Sequence, residues 1–144
     1  MFSSAHYHPM MVHFPMALLV VAFLADLTGI FIKKENCLHK AGLVLQILGT
    51  LGVIAAFASG DEFTNWELFA GTVKDAFLLH QNAAILTIWI ATAAAIFRVI
   101  IVMMKKFHGV LKWVCIILLF ASMLAILRTG FLGGNLVINF LMGL

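Results

Sequence analysis

The sequence predicts an all-α integral membrane protein: a four-helix bundle with both termini on the outer, periplasmic side. Three observations predict it. Of the 144 residues, 64% are hydrophobic and 10% charged, whereas a soluble domain carries about 25% charged residues. The apolar residues form four runs, at residues 10–32, 38–59, 77–104 and 111–132, each longer than the roughly 20 residues a helix needs to cross the hydrocarbon core. The lysines are spread unevenly between those runs. Lys33, Lys34 and Lys40 follow the first, and Arg98, Lys105, Lys106 and Lys112 flank the third connection. The middle connection sets one lysine, Lys74, against Asp61, Glu62, Glu67 and Asp75. By the positive-inside rule the first and third connections are cytoplasmic. Helix is the backbone expected throughout, because lipid offers no partner to an unpaired amide.

The first run opens on "HYHPMMVHFPMALLV", residues 6–20. Pro9 suits a first helical turn, where a missing N–H costs nothing. Pro15 either starts the regular helix or kinks it. No basic residue precedes the run, and it is too long for a signal core, so the N-terminus is expected to be retained as an outer cap. In the second run Gly42, Gly49, Gly52 and Ala56 recur near helical spacing, as Ala84, Ala91 and Ala95 do in the third. Such small residues let membrane helices approach closely. Between these runs, "TNWE" at residues 64–67 reads as a capping box. With Trp66, Leu68 and Phe69 it predicts a short interfacial helix over 64–72. An apolar tail over 133–144 closes the chain. Cys37 and Cys115 lie far apart and outside any outward loop, so neither a disulfide nor a cysteine metal site is expected.

Topology places polar groups from all four helices in the outer third of the membrane. His8 and His13 lie at the outer end of the first helix and His80 about one turn into the third. Arg128 lies near the outer end of the fourth, and Asp61 closes the second. Ionisable groups inside a membrane cost about 2.5–3.5 kcal/mol on insertion scales and mark function. Neutral imidazoles are common metal ligands. A b-type haem needs two axial nitrogens from opposite sides, and bundles seat cofactors between facing helices. His13 and His80 are therefore the candidate axial ligands, Arg128 the propionate partner and His8 an outer neighbour. A quinol or a proton would use the same pair, and zinc would need His8 or Asp61 as a further ligand. His6, His39 and His108 read as interfacial residues with the ring tip in water. Deeper inside, Asp26 and Arg98 fall at similar depth. They read either as an ion pair pinning the first helix to the third or as part of a proton relay.

"HPMMVHFPMALL" resembles the opening signature of a bacterial four-helix membrane family, domain of unknown function 2231. The match lies at His8, Pro9, Val12, His13, Phe14 and Pro15. His80 and Asn82 match the family's His-x-Asn segment, and "GFLGGNLV" at residues 130–137 is similar to its closing Gly-Gly pair and apolar tail. The resemblance covers nearly the whole chain. Relatives fused to cytochrome c-like or Rieske-type domains imply electron-transfer surroundings. The chain departs from the pattern at Asn135, where the family commonly has Glu. It departs again at Ile138, Asn139 and Phe140, where an aromatic residue, Arg and His often follow. Those departures leave the weight of any site on His8, His13 and His80.

Two function classes follow. The first is a membrane electron-transfer module of the bacterial inner membrane. It would carry one b-type haem near the outer face and work between a quinone pool and a respiratory or photosynthetic redox complex. The second is a cofactor-free structural or assembly subunit of a membrane complex. Expected partners are the bilayer and other membrane or periplasmic redox subunits such as c-type cytochromes, with homo-oligomerisation left open. The basic residues form separate membrane-flanking clusters, so nucleic acid is not among the partners. No nucleophile–base pair, phosphate-binding loop or H-E-x-x-H motif supports a hydrolase, and no span broken at its middle supports a transporter.

Overall fold

The computed structural model describes the backbone of residues 7–32, 35–63 and 71–141, and side chains within 11–32, 37–60 and 71–139. These residues form four helices, α1 (Tyr7–Phe31), α2 (Glu35–Phe63), α3 (Gly71–Met103) and α4 (Gly109–Leu136), and α4 runs into a π-helical turn, Val137–Leu141. All four are long and apolar enough to cross a membrane. Each neighbour in sequence runs antiparallel, and α4 closes back on α1. One end of the bundle holds the α1–α2 and α3–α4 connections and most of the lysines. It is called the lysine end here, and the opposite one the histidine end.

The helices outrun the apolar segments at most ends. Hydropathy marks only the part of a helix in hydrocarbon, while the backbone keeps its hydrogen bonds through the interface. Thus α3 begins at Gly71 rather than at residue 77, and residues 71–72 of the expected interfacial helix are its first turn. The rest of that expectation, residues 64–70, lies outside the described residues. The expected tail is also helical at its start. Residues 133–136 complete α4, and the Val137 N–H reaches both Gly133 and Gly134 carbonyls as the turn widens.

The tightest seam is α1–α2. Along it, Gly29, Gly42, Gly49 and Gly52 each receive a side chain of the other helix. A Cβ at Gly42 would stand 2.8 Å from Asp26 Oδ1, at Gly49 2.9 Å from Leu19 Cγ, and at Gly52 3.0 Å from Pro15 Cβ. In the reverse direction Gly29 of α1 takes His39, whose Cε1 would lie 3.1 Å from an added Cβ. Pro9 falls in the first turn of α1. Pro15 lies inside the helix and is buried, so the Met11 carbonyl receives no helical N–H from it. Leu19, Ala22, Val53, Leu119 and Ile126 form the apolar core, with Met16, Phe23, Leu45 and Ile88 packed around it. Ala56, Ala91 and Ala95 are buried as the spacing predicts, while Ala84 is half-buried beside the buried Ala83.

At the lysine end α3 stops in a double reverse hydrogen bond. Lys105 N–H donates to Val102 O and Lys106 N–H to Ile101 O, both at 2.9 Å. This is the Schellman arrangement, which normally has glycine at the left-handed position. Here that position is Lys105, with φ +57°. A left-handed conformation costs a side-chain-bearing residue roughly 1–2 kcal/mol. The lysine charge at a helix C-terminus offsets part of it. The turn throws Phe107 back over the interior.

Candidate functional site

Buried polar groups gather in two places. The larger lies near the lysine end, where three helices and a connection converge. Asp26 on α1 and Arg98 on α3 are both completely buried, and their pairing crosses the diagonal of the bundle. Arg98 Nη1 donates to Asp26 Oδ2, and Nη2 donates to Asp26 Oδ1 at 2.8 Å. This is the fork-on-carboxylate geometry that makes arginine pairs strong. The remaining donors reach α2: Nη1–H to Gln46 Oε1 at 3.0 Å and Nη2–H to the His39 carbonyl at 2.9 Å. His39 then donates from Nδ1 to Asp26 Oδ1 at 2.7 Å. Above the group, the Phe107 ring lies 5.0 Å from the Arg98 guanidinium carbon and 5.3 Å, edge-on, from the His39 ring.

Local sequence explains this assembly. Asp26 continues the buried stripe of α1, after Pro15, Leu19 and Ala22 and before Gly29, which are positions three and four apart. Gly42 lies opposite, and only its missing Cβ makes room for the carboxylate. The sequence expectation of an Asp26–Arg98 pair holds. The expectation for His39 does not. Read as an interfacial residue with its ring in water, it is 7% exposed and bonded to Asp26. The hairpin explains why. Asp26 and Gly42 stand equally far from the α1–α2 turn, so the opening turns of α2, with His39 in the second, fold down beside the carboxylate.

The smaller group lies at the histidine end, in the α3–α4 seam. Thr87 and Thr129 hydroxyls meet at 2.8 Å. Two turns further out along α3, the half-buried His80 donates from Nδ1 to the Thr129 carbonyl at 3.1 Å. Its ring lies against Gly133, where a Cβ would come within 2.9 Å of Cε1. α1 meets α4 at the same level through Met16, whose methyl occupies the space of a Gly130 side chain. His13, one turn outward from Met16, therefore shares the depth of His80, as the topology predicts. It does not share its orientation. Two residues before the buried Pro15, it lies about 200° around the helix from it and is exposed. Arg128 is exposed as well, beside the buried Thr129. His8 lies in the first turn of α1 and Asp61 in the last turn of α2, and their side chains fall outside the described residues.

Among the described residues, no three His, Cys, Asp or Glu side chains come together as a metal-binding group. A zinc site would have to draw on His8 or Asp61. A haem iron needs only two ligands, and His80 has the setting such a ligand uses: the ring N–H nearer the backbone is held by a carbonyl. His13 could meet a haem only at the edge of the bundle, outside the helix interior.

His39, Gln46 and Phe107 are members of the larger site that sequence reasoning did not assign. A signal existed for Gln46, a lone amide between apolar neighbours in the second run. Phe107 carried none, since a phenylalanine at a membrane boundary has many uses.

Comparison with known proteins gives one kind of match. Neither a search of curated proteins nor a search of solved structures returns a match. The model of a predicted membrane protein family, DUF2231, matches residues 5–144, nearly the whole chain and including the histidine-rich opening and the glycine pair of α4, and the protein belongs to that family.

Proposed function

We propose that the protein is an electron-transfer module of the bacterial inner membrane, with a b-type haem site at the histidine end. In this reading His80 is one axial ligand and His13 the other, reached at the outer edge of α1. Arg128 answers the propionates, and His8 lies just outside the ligand pair. The lysine end is cytoplasmic, and the haem end serves a quinol or an extracytoplasmic redox partner such as a c-type cytochrome. The observation that carries the reading is the His80 Nδ1–H bond to the Thr129 carbonyl. Such a bond orients the ring and fixes its tautomer, as bonds behind metal-ligating imidazoles do. Haem would supply one-electron chemistry. The chain's own residues would hold its ring, its charge and its depth.

A second reading has its own observation. At the histidine end Met16 fills the α1–α4 seam at Gly130 and His80 fills the α3–α4 seam at Gly133. That favours a cofactor-free subunit whose outer rim docks on another component of a membrane complex.

Visible absorption spectra of the purified protein, oxidised and dithionite-reduced, separate the two. The haem reading expects sharp low-spin bands that His80→Ala abolishes and His13→Ala abolishes or broadens. His8→Ala should keep them. A folded, colourless, iron-free protein selects the cofactor-free subunit. Orientation has a separate test. Native Cys37, exposed at the lysine end, should resist an impermeant thiol reagent added to spheroplasts. Thr72→Cys, placed at the start of α3 in a Cys37→Ser background, should react. The reverse pattern would put the histidine end in the cytoplasm.

A further inference from the structure

We infer that His39, Asp26 and Arg98 form a proton-binding site at the lysine end, in which His39 Nε2 takes the proton and Phe107 covers it. This goes beyond the haem reading and stands or falls separately from it.

Three nitrogens of the network have no hydrogen-bond partner among the described residues: His39 Nε2, Gln46 Nε2 and Arg98 Nε. All belong to side chains more than nine-tenths buried. Buried polar groups are nearly always paired, and an incompletely paired network is a poor way merely to pin helices together. The arrangement has a direction. Asp26 is fully committed, Oδ1 to Arg98 Nη2 and His39 Nδ1, and Oδ2 to Arg98 Nη1. A guanidinium does not deprotonate in proteins, and both of its Nη atoms donate to the carboxylate. The two charges cancel. The imidazole is left as the group with two accessible states.

The proton step balances simply. A proton leaves hydronium in the water at the lysine end, and an N–H bond forms at His39 Nε2. The ring becomes imidazolium while its Nδ1–H stays on Asp26 Oδ1. Gly29 provides the space. An added Cβ there would lie 3.2 Å from Nε2. Among the described residues, the following groups lie around the ring and its partners. Asp26 presents from α1 and Arg98 from α3. Cys115, buried on α4, lies in the field of both. Phe107, uncharged, presents from the connection, and Lys40, next along α2, is exposed. Access is short, because His39 lies in the second turn of α2 and, among the described residues, the half-buried Phe107 ring stands over it.

The test is proton uptake by the intact purified protein in weakly buffered detergent, read with an indicator dye across about pH 8 to pH 5, the interval in which imidazoles change charge. Wild type should take up one proton per chain more than His39→Gln. Phe107→Ala should speed that component at least about tenfold, by removing the barrier to local opening. The uptake lost in His108→Gln, an exposed histidine, should be indifferent to Phe107→Ala. If His39→Gln does not fold, 15N-histidine-labelled wild type reads the same state. His39 Nε2 should move from its imidazole to its imidazolium resonance over the same interval. Equal uptake in the two proteins, or His39 nitrogen resonances that stay fixed, would overturn the inference.

Discussion

The two ends of the bundle handle polar groups in opposite ways. At the lysine end, side chains from α1, α2 and α3 converge on one carboxylate, and an aromatic ring from the α3–α4 connection covers them. At the histidine end, His80 and the Thr87–Thr129 pair lie in the α3–α4 seam. His80 holds a carbonyl of the adjacent helix, while His13 and Arg128 are exposed. The same types of residue thus become a shared interior network in one place and a rim in the other. The difference follows from the α1–α2 seam. Where Gly42 lets α2 close onto Asp26, charge is drawn inside and must be paired. Toward the histidine end of α1, Phe14 and His13 both stay exposed. The interior network suits holding a charge away from water. The rim suits meeting a cofactor or a partner.

Breaking the charge network should have the largest effect. Arg98→Ala strands a buried carboxylate, and removing one partner of such a pair costs about 3–5 kcal/mol. Arg98→Ala combined with Asp26→Ala should recover a large part of that loss, measured by unfolding in mixed detergent. Simple additivity of the two single losses would show that the pair is not coupled. A smaller loss should follow Gly42→Ala, which forces a methyl group to 2.8 Å from Asp26 Oδ1. Overpacking of this kind costs about 1–3 kcal/mol, and the Asp26–Arg98 contact should loosen with it. The smallest effect belongs to the histidine end. Gly134→Ala has nothing within 4 Å of the added methyl. It should change stability by no more than about 0.5 kcal/mol, and upward, since alanine favours helix. A loss as large as that of Gly42→Ala would mean that the histidine end is packed against something in the membrane.

Much of the fold was legible in the residues. Four runs of sufficient length, a lysine asymmetry and recurring small residues gave the spans and their packing faces. Gly42, Gly49 and Gly52 line the α1–α2 seam as their spacing suggests. The Asp26–Arg98 pair could also be read, because depth in a membrane is a count of residues from the span ends. His39 could not be read that way. Its depth alone puts it at an interface, and only the way α2 folds back on α1 turns its ring inward. The shared depth of His13 and His80 was readable for the same reason, and their orientations were not.

The sequence by itself determined how many helices cross the membrane, which ends carry the positive charge, and how deep each polar residue sits. Hydropathy and chain length act along the membrane normal, and they fix position in that direction. Tertiary structure alone decided the rotation of each helix about its own axis. That rotation is set by which small residues a neighbour presses into, a property of two segments at once that no single run contains. It turned Asp26, Arg98 and His39 toward one another and left His13 facing outward, because Gly42 accepts a carboxylate and Gly52 accepts Pro15 on the opposite side of α1 from His13.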